Sequence, residues 1–381
     1  QITDHGLLKR RFNKKTDTGK IFRYENLPEE WIDNDLEIKS DSVKKMYKIG
    51  ARHTPLTHLI RKAIWKKKFW CTEKFNKWLD EFSPECVFLS FSDDFFIPEI
   101  ALYVAKKFDI PIVSSIGDDY YFNERFSLSP FYLLYKKSYK RLIRKVLAYK
   151  GSAIYISDKI RDKYNSVFGL NGKTVYLTSE IKRNEFKPIN KNNPIITYFG
   201  NIRMGRNDSL NEIGYALGKI NEDYRLEVYS GENDDKYYKV FDKNPFVKYC
   251  GAVPYTEVVK RMSESDITVI VEGFKKKDIG QSRYSLSTKA ADALASGVAI
   301  LSYGSEECGI IEYMKSTGAS VVCSDKKELS GKICELLNDE TLQKKQYDNA
   351  IKMTKEHHNL CVSGKVFEGV VKEAMDKGKI R

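Results

Sequence analysis

Long apolar runs are missing from this chain. None reaches the roughly 18 to 20 residues that a helix needs to cross a bilayer, which excludes a membrane-spanning helix. Paired cysteines are missing too. The seven cysteines (Cys71, Cys86, Cys250, Cys308, Cys323, Cys334 and Cys361) are odd in number, scattered and without CxxC spacing. They exclude a disulfide framework and a zinc ribbon, and read as reduced thiols of a cytoplasmic protein. His5, His53, His58, His357 and His358 show no metal spacing. The last two are adjacent, so on a helix they point apart, and they read as surface or inter-domain residues. Internal repeats, low-complexity tracts and the signatures of common nucleic-acid-binding modules are absent as well. The opening QITDHGLLKRRF is neither a signal peptide nor an initiator methionine, and an N-terminal truncation is expected.

What is present is a large folding chain. With 381 residues, 41% of them hydrophobic, it can bury a sizeable core and is expected to form two domains. The formal charge of +13 calls for an anionic partner: nucleic acid, an anionic membrane surface or a phosphorylated substrate.

Residues 1–50 are polar and weakly periodic. From 58 to 79 apolar residues recur near helical spacing with lysines between them, and CVFLSF (86–91) then reads as a buried strand. A helix and the strand PIVSSIGDDYY follow, which makes a βαβ unit ending in a Gly-Asp-Asp loop; open parallel sheets bind ligands at such carboxyl ends. A second basic helix spans 131–150, with Leu134, Tyr135, Leu142 and Val146 as its apolar stripe. Both basic helices have the composition of interfacial helices, aromatic and aliphatic residues beside dense Lys and Arg. AIYIS and TVYLTS are two further strands, and the polar segment 180–194, with Pro188 and Pro194, reads as a linker. Beyond it, strand, glycine loop and helix alternate through IITYFG, RLEVYSGE, VKYCGAVPYTEV, ITVIVEGF and AILSYG, the rhythm of a second doubly wound sheet.

The most informative stretch is RYSLSTKAADALASGVAILSYG (283–304). Ser287 or Thr288 can cap a helix that Gly297 ends before an apolar strand. The first turn of that helix offers free backbone N–H groups and the positive end of a macrodipole, which stabilise a diphosphate, and Lys289 adds a charge there. Asp292, one turn deeper on nearly the same face, can accept two hydroxyls such as those of a ribose. Upstream, Gly200-Asn201-Ile202-Arg203-Met204-Gly205-Arg206 combines close backbone approach with two guanidinium forks suited to phosphate. At the Gly-Asp-Asp loop, Asp118 or Asp119 can accept the proton that an attacking hydroxyl loses.

These motifs resemble the donor site of retaining GT-B glycosyltransferases of the family-4 type. The resemblance runs from about residue 84 and is strongest between 195 and 303. It implies an α/β fold of two Rossmann-like domains facing a cleft: residues 1–180, with 364–381 packing back on them, and residues 194–360 for the nucleotide sugar. It implies that Arg206, then Arg203, hold the donor diphosphate with Gly200, Asn201, Ser287, Thr288 and Lys289. Val253 and Tyr255 are the implied base contacts, and Glu272-Gly273-Phe274 is the implied loop before the sugar site, followed by the charged run KKKDIGQSR, expected to be extended and mobile. In the family two glutamates stand eight positions apart. Here the second falls on Asp292, and the position of the first holds Tyr284, which leaves the usual sugar-positioning acid unmatched. The implied function is transfer of a sugar from a nucleotide-sugar donor to a lipid-linked or glycan acceptor in surface polysaccharide biosynthesis, on the cytoplasmic face of a membrane, without a metal or cofactor. A nucleotide-sugar epimerase and a catalytically inactive GT-B-like scaffold are the alternatives.

Overall fold

A computed structural model describes residues 2–16, 19, 21, 54–123 and 127–379. Most of the polar segment 1–50, and His53, lie outside the described residues. Among the described residues there are ten strands: β1 (Val87–Ser90), β2 (Ile112–Ile116), β3 (Gly151–Tyr155), β4 (Lys173–Thr174), β5 (Ile196–Phe199), β6 (Leu226–Tyr229), β7 (Val247–Gly251), β8 (Ile267–Val271), β9 (Ala299–Tyr303) and β10 (Val321–Cys323). They form two parallel sheets, β1-β2-β3-β4 and β10-β9-β8-β5-β6-β7. Helices cover both, so the chain is α/β as read from its alternating pattern.

Packing groups the chain into two compact units. The first is Gln1–Ser115, Phe126–Ser152 and Val371–Arg381; the second is Ile116–Arg125 and Ala153–Val370. The boundaries expected from the sequence, 1–180 and 194–360, are drawn at the linker and not by contact density, and they stay a proposal.

In the first unit the stretch 58–79 is three helices, Pro55–Ile64, Lys67–Trp70 and Glu73–Phe82, where the sequence pattern reads as continuous. Thr54 and Thr72 cap the amino-terminal ends of the first and third with their side chains, and each of these local bonds starts its helix. Trp65, Trp70 and Ile64 pack on Leu7 of the N-terminal helix Asp4–Arg11. The helix Pro130–Leu147 buries Tyr132, Tyr139, Leu142, Ile143, Val146 and Leu147. Of the expected stripe, Leu142 and Val146 are buried and Tyr135 is half-buried, while Leu134 is 56% exposed, because the buried face runs through Tyr135, Tyr139 and Leu142 and passes Leu134 by.

The six-stranded sheet of the second unit has the doubly wound strand order, and its direction of winding reverses between β5 and β8. Every residue of β5 and β8 is buried, since helices lie on both faces. Val269 and Val271 pack with Leu210, Ile213 and Leu217 of the helix Arg206–Ile220. Ile270 packs with Ala290 and Leu294 of the helix Lys289–Ser296, and with Ile311 and Met314. A fully buried aliphatic side chain of this kind contributes about 1.5–3 kcal/mol, enough to fix both helices on the sheet.

The segment 180–194 has no regular structure, as expected of a linker, but it is pinned along the second unit. Ile181 and Ile189 are buried, and Arg183 donates to the carbonyls of Leu294 and Ala350 and to Thr354 Oγ1. Its aliphatic residues recur too sparsely to read as periodic, yet each finds a pocket. The run KKKDIGQSR, expected to be extended, forms the helix Lys276–Ser282. Ile279 anchors it in the core, and Ser282 Oγ lies within hydrogen-bond reach of the Asp278 carbonyl at 3.1 Å and of Cys308 Sγ at 3.2 Å.

Candidate functional site

The reversal between β5 and β8 leaves a crevice at their carboxyl ends, where open α/β sheets take their ligands. The loop after β5 carries Gly200 to Arg206, and the loop after β8 carries Glu272 and Gly273. The two loops lie backbone against backbone. A Cβ on Gly273 would stand 2.4 Å from the Met204 carbonyl oxygen, and Gly205, at φ +76°, lies 3.0 Å from Gly273 by the same measure. Only glycine permits that approach.

Arg206 and Glu272 close the contact. Both are buried, at 8% and 2% exposure, and the guanidinium donates from Nη2 to Oε1 at 2.7 Å and from Nε to Oε2 at 3.1 Å. The Arg206 fork, expected to face a diphosphate, is thus engaged by Glu272, the residue implied for the sugar loop. Neither sequence spacing nor composition signals this pair, since its members are 66 positions apart.

Lys289 reaches the same point from its helix. Its ammonium donates to the Tyr198 hydroxyl at 2.9 Å, and Tyr198 in turn donates to the Asn201 carbonyl at 2.6 Å. Gly200, at φ +133°, leaves room for the Lys289 chain, whose Cδ would lie 3.1 Å from any Cβ there. The residue as a whole is half-buried, and burial weighs on its ammonium. Enclosure and then repulsion from Arg206 push its pKa down to about 7, against the attraction of Glu272. At neutral pH the site therefore holds one permanent cation, one anion and one lysine poised to gain a proton.

The first turn of the helix differs from its expectation. Lys289 N bonds to Ser287 Oγ at 3.4 Å, Ala290 N to the Ser287 carbonyl at 3.0 Å and Ala291 N to the Thr288 carbonyl at 3.1 Å. These tight turns occupy donors that the sequence reading leaves free. Thr288 stands at the cap position in a helical conformation and makes no cap bond with its side chain. One turn deeper, Asp292 Oδ1 accepts from Ser179 Oγ at 2.6 Å and from the exposed Tyr255 hydroxyl at 3.3 Å. The hydroxyls it collects are the protein's own, and its second oxygen has further accepting capacity. Val253 packs beside Ile181, Phe199 and Tyr229.

Arg203 faces elsewhere. It is half exposed, pairs with Glu232, holding that carboxyl down to about 2, and lies over the Tyr237 ring at 5.3 Å. Asn201 Oδ1 accepts from Arg203 N at 2.6 Å and shapes the loop.

The Gly-Asp-Asp loop after β2 separates its two aspartates. Asp119 Oδ1 accepts from Tyr121 N at 3.0 Å, Phe122 N at 2.8 Å and the Tyr164 hydroxyl at 2.9 Å, the pattern of an aspartate that folds its own turn. Its Oδ2 is buried and has no partner among the described residues. Asp118 is exposed and accepts from Ser285 Oγ at 3.1 Å. Tyr284, in the position of the absent acid, is half-buried, with its ring centroid 6.3 Å from that of Phe122 and its carbonyl accepting from Ser157 Oγ at 3.2 Å.

Two histidine clusters escape sequence reasoning because their members are distant in the chain. In the second unit His358 is buried, which rules out the surface half of the reading as a surface or inter-domain residue. Tyr313 Oη meets its Nε2 at 2.8 Å and His357 Nδ1 at 3.1 Å, His358 Nδ1 lies 2.6 Å from the Leu177 carbonyl, and Tyr176 stacks on the His357 ring at 4.3 Å. In the first unit His58 lies between Asp94, at 3.2 Å from Nδ1, and Asp93, at 3.3 Å from Nε2. Burial works to lower its pKa, and the two carboxylates override it and raise it to about 9. These three residues are close enough to hold a metal ion. With a carboxylate at each ring nitrogen and Arg61 paired to Asp94, the arrangement instead suits an imidazolium clamp.

No family model and no curated protein matches this chain in sequence. Solved structures do match in fold. A sucrose-phosphate synthase from Thermosynechococcus elongatus superposes with a TM-score of 0.59 at 11% identity, covering 80% of this chain and 77% of that one. HepE from Anabaena, in complex with UDP, gives 0.57 at 12% identity over 80% and 83%. WaaG, a glycosyltransferase involved in lipopolysaccharide biosynthesis, gives 0.53 at 13% identity over 80% and 84%. Two parallel sheets and these likenesses give one conclusion: the chain has the fold of the GT-B glycosyltransferases.

Proposed function

We propose that this chain is a retaining glycosyltransferase that moves a sugar from a nucleotide-sugar donor to a glycan or lipid-linked acceptor in surface polysaccharide assembly, working on the cytoplasmic face of an anionic membrane. The observation that carries the reading is the meeting of Arg206, Glu272 and Lys289 at the switch point between β5 and β8. A donor diphosphate placed there meets a guanidinium, a lysine that gains a proton on binding, and a hydroxyl-collecting carboxylate at Asp292 for the ribose. HepE, one of the fold's relatives, was solved with UDP.

As the bond between the anomeric carbon and the diphosphate breaks, the electron pair stays on phosphate oxygen, and Lys289 and Arg206 meet that charge. The acceptor hydroxyl adds to the anomeric carbon on the same face, and its proton passes to the departing phosphate or to Asp118. No metal is needed in this scheme, because the charge is met by side chains. A nucleotide-sugar panel tests the reading: slow release of nucleotide without acceptor supports a transferase. Interconversion of sugars without release would mark an epimerase. No turnover at all would favour an inactive scaffold, the reading to which Tyr284, in place of an acid, lends weight.

A further inference from the structure

We infer that the amino-terminal tip of the helix Pro130–Leu147 is a lipid-inserting wedge, which enters the acyl region of an anionic bilayer while the rest of the helix stays at the headgroups. Leu128 is 83% exposed, Phe131 48%, Leu133 56% and Leu134 56%. Single exposed apolar residues are ordinary on a soluble surface, but four large ones within seven positions form a patch.

The same helix side turns basic further on. Lys137, Arg141 and Lys145 are exposed on it, and no acidic residue occurs anywhere between 128 and 147. A helix lying flat on a membrane has its apolar residues along its whole length on one side. Here that long apolar side, Tyr132, Tyr139, Leu142, Ile143 and Val146, is buried in the protein. The exposed side instead changes from apolar to basic along the axis, which at 1.5 Å per residue separates Phe131 from Lys145 by about 21 Å. Only an inclined helix puts the first group among acyl chains and the second among anionic headgroups. The occupant is lipid because an apolar tip followed by a cationic stretch complements an anionic surface with an apolar interior.

This inference rests on the membrane-face part of the proposed function and fixes which residues touch lipid. The full chain is mixed with vesicles of phosphatidylcholine, with and without phosphatidylglycerol, and sedimented. The wedge requires binding to the anionic vesicles only. Lys137→Gln, Arg141→Gln and Lys145→Gln together lower it roughly a hundredfold, about 1 kcal/mol for each charge. Leu128→Ser, Leu133→Ser and Leu134→Ser together lower it about tenfold or more, by removing the inserted apolar surface. Inclination is read from single tryptophans. After subtraction of the parent signal, Leu133→Trp is quenched by lipids brominated in the acyl chain and Lys145→Trp is not. Equal quenching at both sites, equal binding to neutral vesicles, or a lipid-free dimer that the serine variant dissolves would each overturn the wedge. Nucleotide-sugar hydrolysis on the same preparations keeps the two readings apart: hydrolysis without vesicle binding removes the wedge alone, and vesicle binding as described without hydrolysis removes the transferase alone.

Discussion

The Arg206 guanidinium and the Glu272 carboxylate form a two-bond ion pair at the point where the six-stranded sheet reverses its winding, and both side chains are buried. Removing one partner leaves an uncompensated charge in a low-dielectric place. Glu272→Ala or Arg206→Ala is expected to destabilise the second unit by about 3–5 kcal/mol, whereas Arg206→Met with Glu272→Leu costs less than either. Urea unfolding of the three variants checks this.

Lys289 gives the site a pH dependence. Its pKa in the free protein is about 7, and a diphosphate beside it raises that value, so binding takes up a proton. Donor affinity should fall as pH rises above 7, and Lys289→Gln should flatten the dependence. Calorimetric titration in two buffers of different ionisation enthalpy measures the proton directly. Equal heats in both buffers at pH 8 would remove this role.

His58 links stability to pH in the opposite part of the chain. Its pKa is raised from 6.5 to about 9 by Asp93 and Asp94, against the opposing effect of burial. A raised pKa means stabilisation that is complete below pH 6.5 and lost as pH rises toward 9, on the order of 3 kcal/mol in total. The first unit should therefore unfold more readily at pH 9 than at pH 6.5. His58→Gln should abolish that difference while lowering stability at pH 6.5.

Asp118 and Asp119 should respond differently to substitution. Asp119→Ala removes the acceptor of three hydrogen bonds and is expected to lower stability by roughly 1–3 kcal/mol. Asp118→Asn should leave stability unchanged and, if Asp118 receives the acceptor proton, slow transfer by about 100-fold. Thermal unfolding beside a transfer assay separates the two.

What the sequence makes legible follows the range of its signals. The βα rhythm of the second sheet and the helix ended by Gly297 are local patterns, and both are present as read. Lys289 and Asp292 stand where the helix phase places them, because three residues on one helix have fixed geometry. The Arg206–Glu272 and His58–Asp94 pairs join residues 66 and 36 positions apart, and no local pattern encodes such a contact. The N–H groups expected to be free at the start of the helix are taken up by the preceding loop. Whether a first turn tightens depends on the loop before it, here Ser287 and Thr288, and not on the helix itself. The helix 130–147 misplaces its stripe at Leu134 for a related reason: aromatic and aliphatic residues occur almost all round its first turn, so periodicity alone does not choose the buried face.

The central claim is that Arg206, Lys289 and Asp292 receive a nucleotide diphosphate, and the most direct test is calorimetric titration of a nucleoside diphosphate panel into the parent protein and Lys289→Ala. The expected result is saturable binding of at least one nucleotide by the parent, with affinity reduced in the variant by about 1.5–3 kcal/mol, the loss of a charge-assisted contact. Binding of equal strength to both proteins, or none to the parent by any nucleotide of the panel, would contradict the account.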